Sequence, residues 1–173
     1  MLTFVDANVI VYSLDPRDSL KQARAEEWLE RLWQQRTGRT SVQVLGELYT
    51  VATRKLAPRL ASDVAWEEAA RYFAWSPRAI DVTLLARARE IERRYGISWW
   101  DSMVVAAAQL QDCVVLLTED LQDGMVFGTL AVRSPFSPVL EQPPAGYGVA
   151  RAQPLHPPRG RPPRRPIVSV AAK

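Results

Sequence analysis

The first twelve residues, MLTFVDANVIVY, constrain the fold of this chain more than any other segment. Residues 2–5 are apolar without polar alternation, which predicts a strand buried on both faces, as in a parallel sheet covered by helices. A second apolar run at residues 9–12, rich in β-branched and aromatic side chains, is expected to belong to the same opening strand. Asp6 ends the first run, and ligand sites in open α/β sheets lie just beyond the carboxyl ends of the strands. Asp6 is therefore a candidate site residue, although Asp and Asn are equally suited to turns. Both interpretations of Asp6 stay open at this point.

The rest of the first 140 residues alternates helical patterns with short apolar runs. Helical patterns occupy five segments, namely residues 19–36, 42–56, 63–75, 83–95 and 99–111. Gly38 is expected to end the first of these helices. Short candidate strands occupy residues 39–41, 79–82, 114–117 and 130–132. This alternation predicts an α/β fold of three layers, α/β/α, with a short central parallel sheet.

The segment 99–111 predicts a helix that is apolar nearly all round and is therefore central in the fold. Asp101 is the only charge in its stretch WWDSMVVAAA. Removing a lone carboxylate from water costs several kcal/mol unless something pairs with it. The helix dipole favours an anion in the first turn by only about 0.3–1 kcal/mol. An acid of the first helical turn is one explanation of Asp101, and a bound cation accounts better for its burial.

A second group of acids follows the apolar run 114–117, in the sequence TEDLQDG. This repeats the opening pattern, in which a buried strand runs into a carboxylate. Asp120 is our first choice for a site residue, with Glu119 and Asp123 as alternates. A polar turn closed by Gly124 is an alternative explanation of this segment. Glu47 differs from these acids, because helical periodicity places it away from the apolar face of its helix and predicts a solvated side chain.

Composition removes most competing kinds of site. The chain has one histidine, His156, and one cysteine, Cys113, which lies in an apolar run and is expected in the core. Neither a histidine base nor a zinc site of His and Cys is therefore expected. Acids that converge at strand ends repel one another unless a cation holds them, and hard oxygen ligands suit Mg²⁺ or Mn²⁺. The chemistry that such a site supports best is phosphoryl transfer.

The cysteine content, the apolar runs and the first residues of the chain together indicate its cellular location. One cysteine excludes an intramolecular disulfide and fits a reducing compartment. No apolar run approaches the ~20 residues of a membrane span. The first residues also lack the basic flank and cleavage site of a signal peptide. We therefore expect a cytoplasmic protein.

The composition changes after residue 140. Eight of the 13 prolines lie beyond residue 141, among arginines, and residues 141–173 carry six basic side chains against one acidic. Residues 1–140 accordingly carry 16 basic and 18 acidic side chains, so the high pI belongs to the tail. We expect a domain at 1–140 and a disordered or extended tail at 141–173. A tail of this composition can bind RNA or acidic partners, but an extension without function is the favoured explanation.

Four segments together resemble a known family. They are FVDANVIVY, SVQVLGELYTVATRK, ISWWDSMVVAAA and LLTEDLQDG, and the late segment AVRSPF fits the same pattern. In this order and at these spacings they are similar to PIN-domain ribonucleases of the VapC type, the toxins of type II toxin–antitoxin systems. The resemblance covers residues 1 to about 140, and the tail has no counterpart in it.

The resemblance implies a set of acids that binds Mg²⁺ or Mn²⁺ for endonucleolytic cleavage of RNA with water as the nucleophile. The family's acids match Asp6, Glu47, Asp101 and Asp120, which reverses the periodicity-based interpretation of Glu47. Supporting roles fall on three further residues, Asn8, Thr118 and Asp123, the last being an alternative fourth acid. The resemblance also implies a homodimer and a cognate antitoxin protein that occupies the site.

Two other functions are compatible with parts of this sequence, a phosphatase and a binding module without nuclease activity. A phosphatase of the haloacid-dehalogenase type also begins with an Asp after a buried strand. It needs a second Asp two residues later, where this chain has Asn8, and a lysine shortly before its last acids, which is missing near Glu119. A PIN-like module that binds RNA or a partner without cutting is the third possibility, although all four acids are present.

Overall fold

The computed structural model of the protein describes residues 1–137, so the predicted tail at 141–173 and the boundary at Leu140 lie outside the described residues. In chain order the elements are β1 (Thr3–Val5), α1 (Ala7–Leu14), α2 (Ser19–Gln35), β2 (Gly38–Arg39), α3 (Val42–Arg54), α4 (Ser62–Arg71), α5 (Val82–Tyr95), α6 (Trp99–Gln109), β3 (Val115–Leu117), β4 (Val126–Phe127) and β5 (Leu130–Arg133). Among residues 1–137, no helix combines the length and apolar character needed to cross a membrane.

Within the described chain, five strands form one sheet in the order β2–β1–β3–β5–β4. β1 pairs in parallel with β2 and β3, and β3 pairs in parallel with β5. Val5 lies opposite Leu117, so that β1 and β3 end at the same level. The predicted α/β fold with a short, mainly parallel sheet flanked by helices is confirmed. The sequence pattern did not indicate β4, a two-residue strand that pairs antiparallel with β5. The expectation that residues 9–12 belong to the opening strand is wrong, because Asp6 ends β1 and caps α1, the helix that contains them.

The core lies around β1, β3 and α6. The side chains of Phe4, Leu116 and Leu117 are fully buried, as expected of strands covered on both faces. Residues 102–108 of α6 are all buried, which confirms the prediction of a central helix. Cys113 is also buried, and this burial raises the pKa of its thiol to about 12. The interpretation of Cys113 as a core residue rather than a nucleophile agrees with this environment.

Gly38 does not end α2, contrary to the prediction. Arg36 closes the helix instead, in the left-handed conformation with φ 55°, and its N–H donates to the Leu32 and Trp33 carbonyls. Gly38 begins β2, where a Cβ would lie 2.5 Å from Cε2 of Trp75. A glycine is therefore needed here for the close approach of an indole ring, not for a helix terminus.

The predicted strand at 79–82 is wrong. Arg78 makes a parallel bridge to Ser41, and the chain then turns into α5, whose N-cap is Asp81. The β-branched residues that suggested a strand, Ile80 and Val82, are 47% and 81% exposed, and within residues 1–137 no strand pairs with this segment. The predicted helix at 63–75 is also modified, because α4 ends at Arg71 and residues Tyr72–Trp75 tighten into a 3₁₀ turn.

Candidate functional site

The carboxyl ends of β1, β2 and β3 meet at one edge of the sheet. The N–H of Asp6 donates to the Leu117 carbonyl at 3.0 Å, so that the residues following β1 and β3 lie side by side. Thr40 follows β2, and its hydroxyl donates to the Val5 carbonyl at 3.3 Å. The sequence-predicted acids at strand ends therefore belong to a common edge, where ligand sites of parallel sheets are usually found.

Asp6 is both the N-cap of α1 and the centre of a buried polar cluster. Its Oδ1 accepts from the Ala7 N–H at 2.8 Å, which is the capping interaction. Its Oδ2 accepts from Thr118 Oγ1 at 2.8 Å and from Asn8 Nδ2 at 3.3 Å. The residue is only 3% exposed, and a carboxylate removed from water requires such donors. The cap and site interpretations of Asp6 are therefore compatible.

Asn8 and Thr118 complete this group, which we call the Asp6 cluster. Asn8 Nδ2 donates to Thr118 Oγ1 at 3.0 Å, and Thr118 is almost fully buried. Asn8 Oδ1 is buried and has no hydrogen-bond partner among residues 1–137. A buried acceptor without a partner costs about 1–3 kcal/mol. Such an oxygen beside a buried carboxylate suits a hydrogen-bond donor or a hard cation.

The three acids that follow β3 have different environments. Asp120 is half-buried, and its N–H donates to Thr118 Oγ1 at 3.1 Å, which joins it to the Asp6 cluster. Both carboxylate oxygens of Glu119 instead accept from Lys21 Nζ at 2.8 Å. Asp123 is exposed, and its Oδ1 accepts from the Ser134 N–H at 2.9 Å. Asp120 is thus the acid of this turn that adjoins the Asp6 cluster.

Asp101 lies in the first turn of α6, as the sequence suggested. Ser98 is the N-cap of this helix, and its Oγ accepts from the Asp101 N–H at 3.1 Å. The same hydroxyl donates to Asp101 Oδ2 at 2.6 Å. Asp101 is half-buried, whereas the residues after it are buried. The helix cap therefore holds this carboxylate at the margin of the core rather than in open solvent.

Glu47 is half-buried on α3, less solvated than helical periodicity predicts. Gln43 stands one turn earlier on the same helix face, and its Nε2 donates to the Trp100 carbonyl at 3.3 Å. This contact joins the first turns of α3 and α6. Glu47 and Asp101 therefore lie on two helices that meet at this contact.

The proposed ligands do not form a complete cage. Among residues 1–137, no three Asp, Glu, His or Cys side chains lie close enough together to hold a metal ion between them. Asp6, Asn8, Thr118 and Asp120 share one hydrogen-bonded group, whereas Asp101 and Glu47 lie on two other elements, α6 and α3, which the Gln43–Trp100 contact joins. Mg²⁺ commonly binds through one or two carboxylates together with substrate phosphates and waters. The donor chemistry of carboxylate and amide oxygens fits such a cation.

Sequence reasoning missed Lys21 and Tyr12, which lie beside Glu119. Burial lowers the pKa of Lys21, but hydrogen bonds to Glu119 and Tyr12 outweigh this effect and leave its pKa raised. Burial is also the main reason why the pKa of Tyr12 is raised. Lys21 is therefore cationic and Tyr12 neutral near neutral pH. Lys21 is 98 residues from Glu119, so no local pattern could have indicated their contact.

Comparisons with known proteins give the following matches. The family model described as PIN domain matches residues 3–122. The toxin VapC20 of Mycobacterium tuberculosis, which cleaves the sarcin–ricin loop, is 21% identical, with 66% of this chain and 86% of that chain covered and a TM-score of 0.50. A toxin–antitoxin complex from Klebsiella pneumoniae is 17% identical, with coverage of 77% and 97% and a TM-score of 0.52. VapBC2 of Rickettsia felis, bound to a DNA fragment of its promoter, is 13% identical, with coverage of 78% and 98% and a TM-score of 0.55. No curated protein matches the chain significantly.

Proposed function

Because this chain belongs to the PIN domain family, we propose that it is a Mg²⁺- or Mn²⁺-dependent endoribonuclease that serves as the toxin of a toxin–antitoxin pair. It hydrolyses RNA phosphodiester bonds with water as the nucleophile. The observation that carries this proposal is the Asp6 cluster, a buried carboxylate and an unsatisfied amide oxygen at the ends of two parallel strands. One structure of similar fold is a toxin that cleaves the sarcin–ricin loop, which supports an RNA substrate.

The proposed ligands of the cation come from Asp6, Glu47, Asp101 and Asp120, of which one or two would bind it directly, with waters and the substrate phosphate completing its coordination. They come from the end of β1, from α3, from the first turn of α6 and from the turn after β3. When bound, the cation would polarise the scissile phosphate, lower the pKa of the attacking water and stabilise the leaving oxygen. The acids also repel bare RNA, so a cation is needed before the phosphate can approach them.

Three further residues hold these acids in place. Thr118 donates to Asp6 and accepts from the Asp120 N–H, so it fixes both acids through one hydroxyl. Asn8 donates to Asp6 and Thr118, and its buried Oδ1 makes no hydrogen bond within residues 1–137. Asp123 accepts from the Ser134 N–H and joins the acidic turn to the residue after β5. In our proposal these residues support the ligands rather than react.

The proposed partners are a cognate antitoxin protein, which occupies the site when bound, and a second copy of the chain. A similar fold occurs in a toxin–antitoxin complex from Klebsiella pneumoniae, which supports the first partner. Exposed aliphatic side chains near the starts of α3 and α5 support the second, and these are Val42, Ile80, Val82 and Leu85. Light scattering should report a dimer that Val82→Glu converts to a monomer, and a wild-type monomer would contradict this part of the proposal.

We propose further that residues 1–140 are the nuclease domain, that residues 141–173 lie apart from its core, and that the protein acts in the cytoplasm. The family match ends at residue 122 and β5 ends at Arg133, so the boundary belongs between the last strand and the Pro/Arg-rich composition.

Incubation with total RNA tests the proposed activity. We expect discrete cleavage products with Mg²⁺, none with EDTA, and recovery of cleavage when Mn²⁺ or Mg²⁺ is added back in excess. A small phosphomonoester is the parallel substrate, because turnover of that compound without RNA cleavage would favour the haloacid-dehalogenase alternative. Cation binding without cleavage of any RNA would favour the non-cleaving module.

Isosteric variants of the acidic turn test which acid is the fourth ligand. Asp120→Asn removes a charge beside the Asp6 cluster, so it should lower cleavage much more than Asp123→Asn, whose oxygen can still accept from the Ser134 N–H. A larger loss for Asp123→Asn than for Asp120→Asn would reassign the ligand.

A further inference from the structure

Lys21 is the centre of a second cluster beside the proposed site. Its Nζ donates to both oxygens of Glu119 at 2.8 Å and to Tyr12 Oη at 3.1 Å. The ammonium also lies over two aromatic rings, 4.4 Å from the centroid of Tyr12 and 5.0 Å from that of Phe136. These contacts join α1, α2, the turn after β3 and the chain after β5. We call this group the Lys21 cluster.

Glu119 connects the Lys21 cluster to the Asp6 cluster. It lies in the chain between Thr118, which donates to Asp6 at 2.8 Å, and Asp120, whose N–H donates back to Thr118 Oγ1 at 3.1 Å. Its side chain is nevertheless directed to Lys21, on α2. Thr118 and Glu119 therefore point to different partners, Asp6 and Lys21, and the carboxylate between two residues of the proposed site is bound to an ammonium.

This arrangement controls the number of carboxylates that a cation can meet. Glu119 is a hard oxygen donor like Asp120, and a divalent ion that takes six or more oxygens would accept either of them. With both oxygens of Glu119 bound by Lys21, Asp120 is the acid of this turn that adjoins the Asp6 cluster. Removing the ammonium would leave a surplus carboxylate one residue away from both Thr118 and Asp120.

We propose that Lys21 is a positioning residue that keeps the Glu119 carboxylate out of the cation site and reserves that site for Asp120. The inference rests on the proposed metal-dependent cleavage of RNA. Lys21 acts through Glu119 and does not touch the reacting atoms.

The competing explanation is a structural clamp that only fastens α2 to the rest of the domain. The side chains of Lys21 and Glu119 are 31% and 22% exposed, so solvent screens their attraction and weakens their contribution to folding. Tyr12 and Phe136 also pack edge to face at 5.0 Å without help from the charges. The two explanations predict opposite effects on cation binding, because a broken clamp disorders the site whereas a released carboxylate adds a ligand to it.

Calorimetric titration of the RNA-free protein with Mn²⁺ distinguishes the positioning role of Lys21 from the structural clamp. Lys21→Met keeps the aliphatic stem and removes the charge, so we expect the Kd for Mn²⁺ to fall by roughly tenfold, the size of effects produced by residues next to metal ligands. The kcat for RNA should fall with little change in KM, since an additional carboxylate on the cation weakens its polarisation of the RNA phosphate. Lys21→Gln should change the Mn²⁺ affinity in the same direction.

Three further variants serve as rescue and control. Lys21→Met combined with Glu119→Gln should restore the wild-type Kd and kcat, because no surplus carboxylate remains. Lys21→Arg should retain wild-type values. Arg24→Met is the matched control, since Arg24 lies on the same helix and pairs with exposed Glu27 at 3.2 Å. Thermal unfolding of each variant verifies that the fold is retained.

Weaker Mn²⁺ binding by Lys21→Met would show a structural clamp and overturn the inference. Unchanged Mn²⁺ binding would overturn it too. A double variant that does not return to the wild-type Kd and kcat would also overturn it. These results leave the proposed function intact when the wild-type protein binds Mn²⁺ and cuts RNA. A wild-type protein that does neither would refute the proposed function, and the inference with it.

Discussion

Replacing Thr118 by Val tests whether one hydroxyl holds the Asp6 cluster together. The change keeps the shape of a side chain that is 1% exposed and removes three hydrogen bonds, to Asp6 Oδ2 at 2.8 Å, from Asn8 Nδ2 at 3.0 Å and from the Asp120 N–H at 3.1 Å. A hydrogen bond to a charged group contributes about 1.5–3 kcal/mol, and a neutral one about 0.5–1.5 kcal/mol. Water can reach half-buried Asn8 and Asp120, so the bond to Asp6 dominates. We expect the free energy of unfolding to fall by about 2–4 kcal/mol.

Urea unfolding, monitored by tryptophan fluorescence, measures this loss. In thermal unfolding, the expected decrease in Tm is about 5–15 °C for a domain of this size. Thr40→Val is the matched control. Thr40 is also fully buried beside a strand end, but its hydroxyl makes one neutral hydrogen bond, at 3.3 Å to the Val5 carbonyl. That variant should lose about 1 kcal/mol or less. Thr118→Ser, which keeps the hydroxyl, should recover most of the stability.

A Thr118→Val variant that is as stable as Thr40→Val would refute the prediction that Thr118 stabilises the Asp6 cluster. Such a result would mean that Asp6 gains no net stability from the threonine. The hydrogen bonds of the cluster would then be a consequence of the fold rather than a cause of the position of Asp6.

Three further predictions concern the scaffold. Gly38→Ala places a methyl group 2.5 Å from the Trp75 ring and should destabilise the protein by about 1–3 kcal/mol in urea unfolding; an unchanged midpoint would contradict the close approach. Arg17 lowers the pKa of Asp15 through a hydrogen bond, so this pair stabilises the fold above the unfolded pKa of about 3.9 and ceases to do so as the pH falls through the lower folded pKa. Arg17→Gln should therefore lower Tm at neutral pH and match the wild type near pH 2, and an equal deficit at both would contradict this linkage. Deleting residues 142–173 should leave Tm nearly unchanged, since the predicted domain ends before them, and a large decrease measured by calorimetry would move the boundary.

The fold could be predicted where the pattern of residues is strong over several positions. The apolar runs at β1 and β3 and the apolar helix α6 predicted a covered parallel sheet, because strands without polar alternation require helices on both faces. Gly38 shows the limit of such reasoning. Its position after a helix suggests a terminus, but the reason for it is the Trp75 ring, which reaches β2 from a distant part of the chain.

The candidate site divides in the same way. Asp6 and the acids after β3 could be placed near one another because parallel strands that pair in register end at one edge. Glu47 could not, because its partial burial depends on how α3 packs within the fold. The sequence alone does not show which of Glu119 and Asp120 adjoins the Asp6 cluster. The hydrogen bonds between Glu119 and Lys21 on α2 distinguish the two acids. Side chains brought together by tertiary packing leave no local pattern.

The most direct test of the central claim is the rate at which wild-type protein and Asp101→Asn cleave the same RNA with Mg²⁺. The substitution removes the charge and keeps the shape, and the amide can still contact the Ser98 hydroxyl, so unfolding should stay cooperative with a loss of about 0.3–1 kcal/mol from the helix dipole. We predict that cleavage is abolished although the protein remains folded. A folded Asp101→Asn variant that cuts RNA as fast as the wild type would contradict the assignment of this acid and of the cation site built around it.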